Sequence, residues 1–198
     1  TPISGVTNMS KREMRGIKEG LRVIVTAGAA GIGRAIAETF ADRGAKVFIC
    51  DLDTEALSEM AKACPEIGHF HADVADQAQV DAFFDAALAK LGGLDVLVNN
   101  AGIAGPTAPI DEMDPADWRR TVDINLNSHF YCLRRAVPPL KESGNGAIIN
   151  LSSVAGRLGF AMRTPYAATK WGIVGLTESL SKELGPFGIR VNCLQPGM

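Results

Sequence analysis

Long apolar runs, surplus positive charge and clustered cysteines are all missing from this 198-residue chain. No apolar stretch is long enough to span a bilayer, and none forms the apolar core of a secretory signal behind the basic residues Lys11, Arg12, Arg15 and Lys18. The expectation is a cytoplasmic protein with no membrane partner. A formal net charge of −2 and a pI near 5.9 leave no basic face for a phosphate backbone, so nucleic acid is excluded as a partner and a small molecule is favoured. The cysteines Cys50, Cys64, Cys132 and Cys193 lie far apart, and His69, His71 and His129 make no metal-ligand spacing with them. This argues for a reduced, metal-free interior. Internal repeats and low-complexity segments are also absent. The one linker-like region is an amino-terminal tail, 1–19, which leaves 20–198 as a single domain with enough apolar residues for a core.

What is present is a regular alternation. Apolar, β-rich runs recur at 21–26, 46–50, 68–72, 94–98, 147–152 and 189–194, with helical patterns between them. Short strands that are apolar at nearly every position belong to a sheet covered on both faces. The fold class is therefore α/β, a single-domain, doubly wound parallel sheet of Rossmann type with helices on both faces. Helix starts are marked by Asp76 with Gln79 as a capping box, and by Asp114-Pro115 and Thr164-Pro165 as cap followed by first-turn proline. The last of these opens a helix through Ile173, Leu176, Leu180 and Leu184 that stops at Gly185-Pro186. Tyr166 and Lys170 then share one helix face at i and i+4, beside the small residues Ala167, Ala168, Gly172 and Gly175.

The first strand runs straight into "TAGAAGIGRAIAETF", with Gly28, Gly31 and Gly33 crowding a strand-to-helix turn. Glycines there let the backbone approach a pyrophosphate, whose charge the exposed N–H groups and positive end of the helix stabilise. The second strand ends at Asp51, about twenty residues beyond the turn, where a carboxylate accepts hydrogen bonds from ribose hydroxyls. Asp53 is free to cap the next helix. The Asp51 charge repels a 2′-phosphate, and the turn has no Lys or Arg before Gly31, so NAD is expected rather than NADP.

With "TAGAAGIG", "NNAG" at 99–102, "INLSS" at 149–153, "YAATK" at 166–170 and "PG" at 196–197 in this order, the chain resembles the classical short-chain dehydrogenase/reductase family over residues 20 to 198. It departs from the family turn, Thr-Gly-x-x-x-Gly-x-Gly, by placing Ala27 at the first glycine, with Gly28 next to it to relieve the turn. The resemblance implies cofactor contacts from Gly28, Gly31, Ile32, Gly33 and Asp51, from Asp73 and Val74 at the adenine, and from Asn99, Ala101 and Gly102 along "NNAG". It also implies contacts from Tyr166, Lys170, Pro196 and Gly197.

A secondary alcohol gives hydride to nicotinamide only if a base takes its hydroxyl proton. A free phenol, with pKa about 10, is barely ionised at neutral pH, but a nearby ammonium and the cationic nicotinamide ring stabilise a phenolate. Tyr166 is thus the proton acceptor, and Lys170 by resemblance both tunes it and holds the nicotinamide ribose. Ser153 resembles the serine that hydrogen-bonds the substrate oxygen; strand alternation sends its neighbour Ser152 to the other face. Asn125, directly after Asp123-Ile124, resembles the asparagine of a water-linked proton path to the lysine.

The expected function is hydride transfer between NAD(H) and a small secondary alcohol or ketone, with Asn125, Ser153, Tyr166 and Lys170 at the centre and 103–113 and 154–164 lining the pocket. The alternatives are a catalytically idle dinucleotide sensor and an NADPH-dependent reductase of the ketoacyl type; an epimerase or dehydratase calls for a larger substrate domain. Family resemblance further implies a homo-oligomer, with a tetramer favoured, paired through helices spanning 115–142 and 165–184. The sequence ends at "LQPGM", so a substrate-covering segment and a seventh strand are expected beyond Met198.

Overall fold

The computed structural model describes residues 17–197, so the basic residues at 11–15 lie outside the described residues. Six strands alternate with helices: β1 (Arg22–Thr26), β2 (Lys46–Asp51), β3 (Gly68–His71), β4 (Val96–Asn99), β5 (Ala147–Leu151) and β6 (Arg190–Leu194). All pairings are parallel, in the order β3-β2-β1-β4-β5-β6. The order reverses between β1 and β4, which opens a crevice at the carboxyl ends of the strands. The helices are α1 (Gly31–Ala41), α2 (Thr54–Ala63), α3 (Gln77–Leu91), α4 (Pro115–Val122), α5 (Ser128–Ser143) and α6 (Thr164–Leu184).

The central strands are apolar throughout because both faces are buried. Ile24, Phe48, Leu97 and Ile148 face one core layer with Phe83, Phe84 and Leu140, while Val23, Val25, Ile49 and Val98 face the other with Ala37 and Met60. Strand β3 differs. It is an edge strand in which Phe70 packs inward while His69 and His71 are exposed on one face, and among the described residues no cluster of His, Cys, Asp or Glu could hold a metal. All four cysteines are free thiols. Among the described residues no helix is long and apolar enough to cross a membrane.

Caps follow local chemistry. Asp53, Asp76 and Asp114 each accept hydrogen bonds from first-turn amides of α2, α3 and α4. The start of α6 is different: Thr164 is already helical, Pro165 is in the first turn, and Arg163 takes the cap position without a side-chain cap bond. Between α4 and α5 lies a π-helical turn, Asp123–Asn127, so one rod runs from Pro115 to Ser143 with a bulge around Asn125.

The turn after β1 carries an unexpected strain. Ala27 sits at φ 49, a left-handed conformation that suits glycine, whereas Gly28 does not have positive φ. Gly28 therefore does not relieve its neighbour. It is needed for space, because a Cβ there would lie 2.6 Å from Ile49 Cγ2. Left-handed backbone costs an L-residue roughly 1–2 kcal/mol, while glycine loses ~0.4–1 kcal/mol through the unfolded chain. Ala27→Gly is therefore expected to stabilise the fold by roughly 0.5–1 kcal/mol, read as a higher urea midpoint at unchanged m. An equal or lower midpoint would show that Ala27 is unstrained.

Candidate active site

A cleft of about 870 Å³ opens at the carboxyl ends of the strands. Its floor is the start of α1. This helix has no side-chain cap bond and no acidic residue in its first turn, so its amino-terminal N–H groups face the cleft beside Gly31 and Ile32. Close approach is enforced at Gly33, where a Cβ would fall 1.9 Å from the Ala27 carbonyl oxygen. The cradle fits a pyrophosphate, and the positive helix end favours one. Arg34, the first cation after the turn, is taken by an i,i+4 ion pair with Glu38 at 2.7 Å.

At the end of β2, Asp51 lines the cleft. Its Oδ2 accepts from Ala29 N–H at 3.0 Å and its Oδ1 from Asp53 N–H at 3.2 Å. The carboxylate is thus held in place yet keeps lone pairs for a ligand.

The opposite wall is built by β5 and α6, which hold each other by two bonds. Lys170 Nζ donates to the Leu151 carbonyl at 2.9 Å, and Ser152 Oγ donates to the Lys170 carbonyl at 2.8 Å. Ser152 is spent on this contact. Ser153, the next residue, is the half-buried cap of a short turn, accepts from Ala155 N–H at 3.2 Å and faces the cleft. Tyr166 stands on the first turn of α6, with Lys170 Nζ 5.6 Å from its ring centroid. Burial lowers the Lys170 ammonium from its ordinary value to about 8, with a smaller opposing effect from Cys193.

Asn125 lies behind this wall, fully buried in the π-turn. Its Oδ1 accepts from Ile103 N–H at 2.7 Å, and its Nδ2 donates to the Ile103 carbonyl at 2.9 Å and to Thr169 Oγ1 at 3.3 Å. Gly102 fits between Asn125 and Lys170: a Cβ on it would be 3.2 Å from Lys170 Nζ and 3.3 Å from Asn125 Oδ1.

Of the residues singled out from sequence, the cleft gathers Gly31, Ile32, Asp51, Gly102, Ser153, Tyr166, Lys170, Pro196 and Gly197. Gly28 and Gly33 pack behind the turn, and Asn125 and Ala101 sit behind the lining. Asp73 accepts from Ala75 N–H at 2.9 Å and pairs with Arg120 at 3.0 Å, while its neighbour Val74 is in the core. Asn99 is buried with Nδ2 donating to Asn150 Oδ1 at 3.0 Å. Its neighbour Asn100 reaches the cleft instead and ties the first turn down, donating to the carbonyls of Thr26 and Ala27 at 3.0 Å each. Alternation along β4 was the available signal for Asn100, since Leu97 and Asn99 lie on the same side of the strand. Phe160 and Arg163 also line the cleft, within the stretch 154–164 expected to do so.

Comparison with known proteins agrees with this fold. The profile of the family described as short chain dehydrogenase matches residues 22–198. The cis-4-hydroxycyclohexanecarboxylate dehydrogenase of Sinomonas cyclohexanicum is 43% identical over 178 residues, covering 88% of this chain and 71% of that protein. The 2-dehydro-3-deoxy-L-rhamnonate dehydrogenase (NAD(+)) of a Sphingomonas species is 42% identical, covering 87% of this chain and 70% of its own length. The crystal structure of levodione reductase superposes with a TM-score of 0.86 at 36% identity, covering 91% of this chain and 72% of that one. Fold, cleft and sequence likeness converge: the chain belongs to the short-chain dehydrogenase family.

Proposed function

We propose that this protein is an NAD-dependent oxidoreductase interconverting a small secondary alcohol and its ketone. The observation that carries the reading is a single cleft with Ser153, Tyr166 and Lys170 on one wall, an uncapped helix end below, and Asp51 at the far end. Its relatives are named for alcohols and ketones that include hydroxycyclohexanecarboxylates, hydroxysteroids, levodione and borneol. These compounds carry a secondary carbinol or a ketone and differ in size and charge.

When bound, a nicotinamide dinucleotide supplies the hydride acceptor or donor. Gly31, Ile32 and the α1 amides are suited to its pyrophosphate and Asp51 to its adenosine ribose. The chain's own work is proton handling and positioning. The Ser153 hydroxyl donates to the substrate oxygen, and the Tyr166 oxygen accepts the carbinol proton in oxidation and returns it in reduction. The Lys170 ammonium, pinned by Leu151, stabilises the phenolate that takes the proton in oxidation and is left behind in reduction. Asn125 fixes the Gly102-Ile103 backbone against Lys170. The exposed aromatics Phe130 on α5 and Trp171 on α6 support the reading of a homo-oligomer paired through these helices.

The cofactor assignment is tested with a panel of secondary alcohols followed at the nicotinamide absorbance. NAD is expected to give the higher kcat/KM. Asp51→Ala should narrow the preference mainly by weakening NAD, by about 10-fold for a charge-assisted ribose contact. Equal or better kcat/KM with NADP overturns the assignment.

A further inference from the structure

Besides Tyr166, the cleft is lined by three charged side chains that differ in use. Asp51 belongs to the β2 end and Lys170 is tied to Leu151. Arg163 has no such duty. It caps α6, three residues ahead of Tyr166, and its guanidinium carbon lies 5.8 Å from the Tyr166 ring centroid. Arg22, Arg34, Arg120 and Arg135 are all ion-paired with carboxylates at close range. Arg163 pairs with none among the described residues and makes a single side-chain bond, from Nη1 to Thr107 Oγ1 at 2.7 Å.

Its placement is built. Ala108 N–H donates to the Met162 carbonyl at 3.0 Å, so the segments at 107–108 and 162–163 are joined by two bonds, one of them made by the guanidinium itself. Met162 holds φ 62, a left-handed conformation that costs a bulky residue on the order of 1 kcal/mol. Strain of this kind persists where surroundings over-determine it, and here it sets the residue before Arg163.

The rest of this end of the cleft decides what the cation reads. Ile103, Val154 and Phe160 offer hydrocarbon, and the lining there has no carboxylate or free amide to bind a polyol. A phosphate ester would bring two negative charges to one cation. A monoanion with an apolar body matches, and the planar fork of arginine binds a carboxylate through two parallel hydrogen bonds. We propose that the substrate is a carboxylate-bearing secondary alcohol or the corresponding keto acid, and that Arg163 binds its carboxylate and so determines specificity. This inference rests on the oxidoreductase reading above.

The test uses the full chain with NAD and acid–ester pairs: 3-hydroxybutanoate, 4-hydroxypentanoate, 5-hydroxyhexanoate and 3-hydroxycyclohexanecarboxylate, each beside its methyl ester. The native protein should favour at least one acid over its ester by about 10-fold or more in kcat/KM, the scale of one charge-assisted bidentate contact. Arg163→Met should lower that acid-to-ester ratio by about the same factor, mainly through the KM of the acid, and Arg163→Lys should restore part of it. A ratio measured within one variant is insensitive to partial misfolding. Turnover of neutral secondary alcohols without preference for any acid, or a ratio unmoved in Arg163→Met, overturns the carboxylate inference and leaves the oxidoreductase reading standing. No turnover of acids, esters or neutral alcohols with either dinucleotide overturns both.

Discussion

Tyr166→Phe is expected to lower turnover by roughly 10²–10⁴-fold, the range typical of losing a positioned proton-transfer group, while dinucleotide affinity stays nearly constant. The ring is retained, so the wall of the cleft keeps its shape and only the oxygen is lost. Lys170→Ala should behave differently, because in the proposed mechanism the ammonium serves both the phenolate and the cofactor. Its removal should weaken dinucleotide binding and displace the activity profile to higher pH. Burial brings Lys170 to about 8, so the native protein should lose dinucleotide affinity as pH rises through that value, whereas Lys170→Ala should show no such loss. Binding followed by fluorescence reads this without turnover. Near-normal turnover in Tyr166→Phe, or identical pH profiles of affinity in the two proteins, would remove these roles.

A second large effect concerns His129, which no step of the proposed chemistry uses. It is fully buried on α5, its Nε2 has no hydrogen-bond partner, and its Nδ1 is 3.5 Å from Ser128 Oγ. Burial first, and the nearby Lys170 charge second, lower it from 6.5 to about 3, against a smaller effect of the Asn99 backbone. The native state therefore refuses a proton that the unfolded chain accepts below pH 6.5. Stability from this source is fully present above 6.5 and is lost as pH falls toward 3, amounting to about 3 kcal/mol between pH 7 and pH 4. His129→Leu has a similar volume and no proton to gain. It should lose about 3 kcal/mol less than the native protein over that interval, by urea unfolding at each pH. Parallel pH dependences would show that His129 is not a source of acid lability.

Much of this was legible in the sequence because the strong signals were local and repeated. Six apolar runs separated by helical periods leave few arrangements besides a covered parallel sheet, and β1 through β6 fall within those runs to a residue or two. The helix pairing of Tyr166 with Lys170 follows from spacing alone. What escaped was decided by tertiary contact. Ala27 reads as a replacement that Gly28 relieves, but its cost lies in a backbone angle, and Gly28 is required instead by Ile49, from another strand. Thr164 looks like a cap, yet the segment's ties to Thr107 and Ala108 are followed by a helix that starts one residue earlier. Arg163 could not be weighed until the carboxylates around it were known to be elsewhere.

The bulge at Asp123–Asn127 also solves a problem of phase. Each residue added to a helix advances its azimuth by about 100°, and a π turn adds a residue without ending the rod. α4 packs on α6 and α5 packs on α3, so the two halves face different neighbours although the helical backbone between them is unbroken. Without the offset, the side chains chosen for one neighbour would dictate the angle presented to the other. The bulge uncouples them, much as a keyway cut between two gears on one shaft lets each mesh independently, and Asn125 stands at the cut.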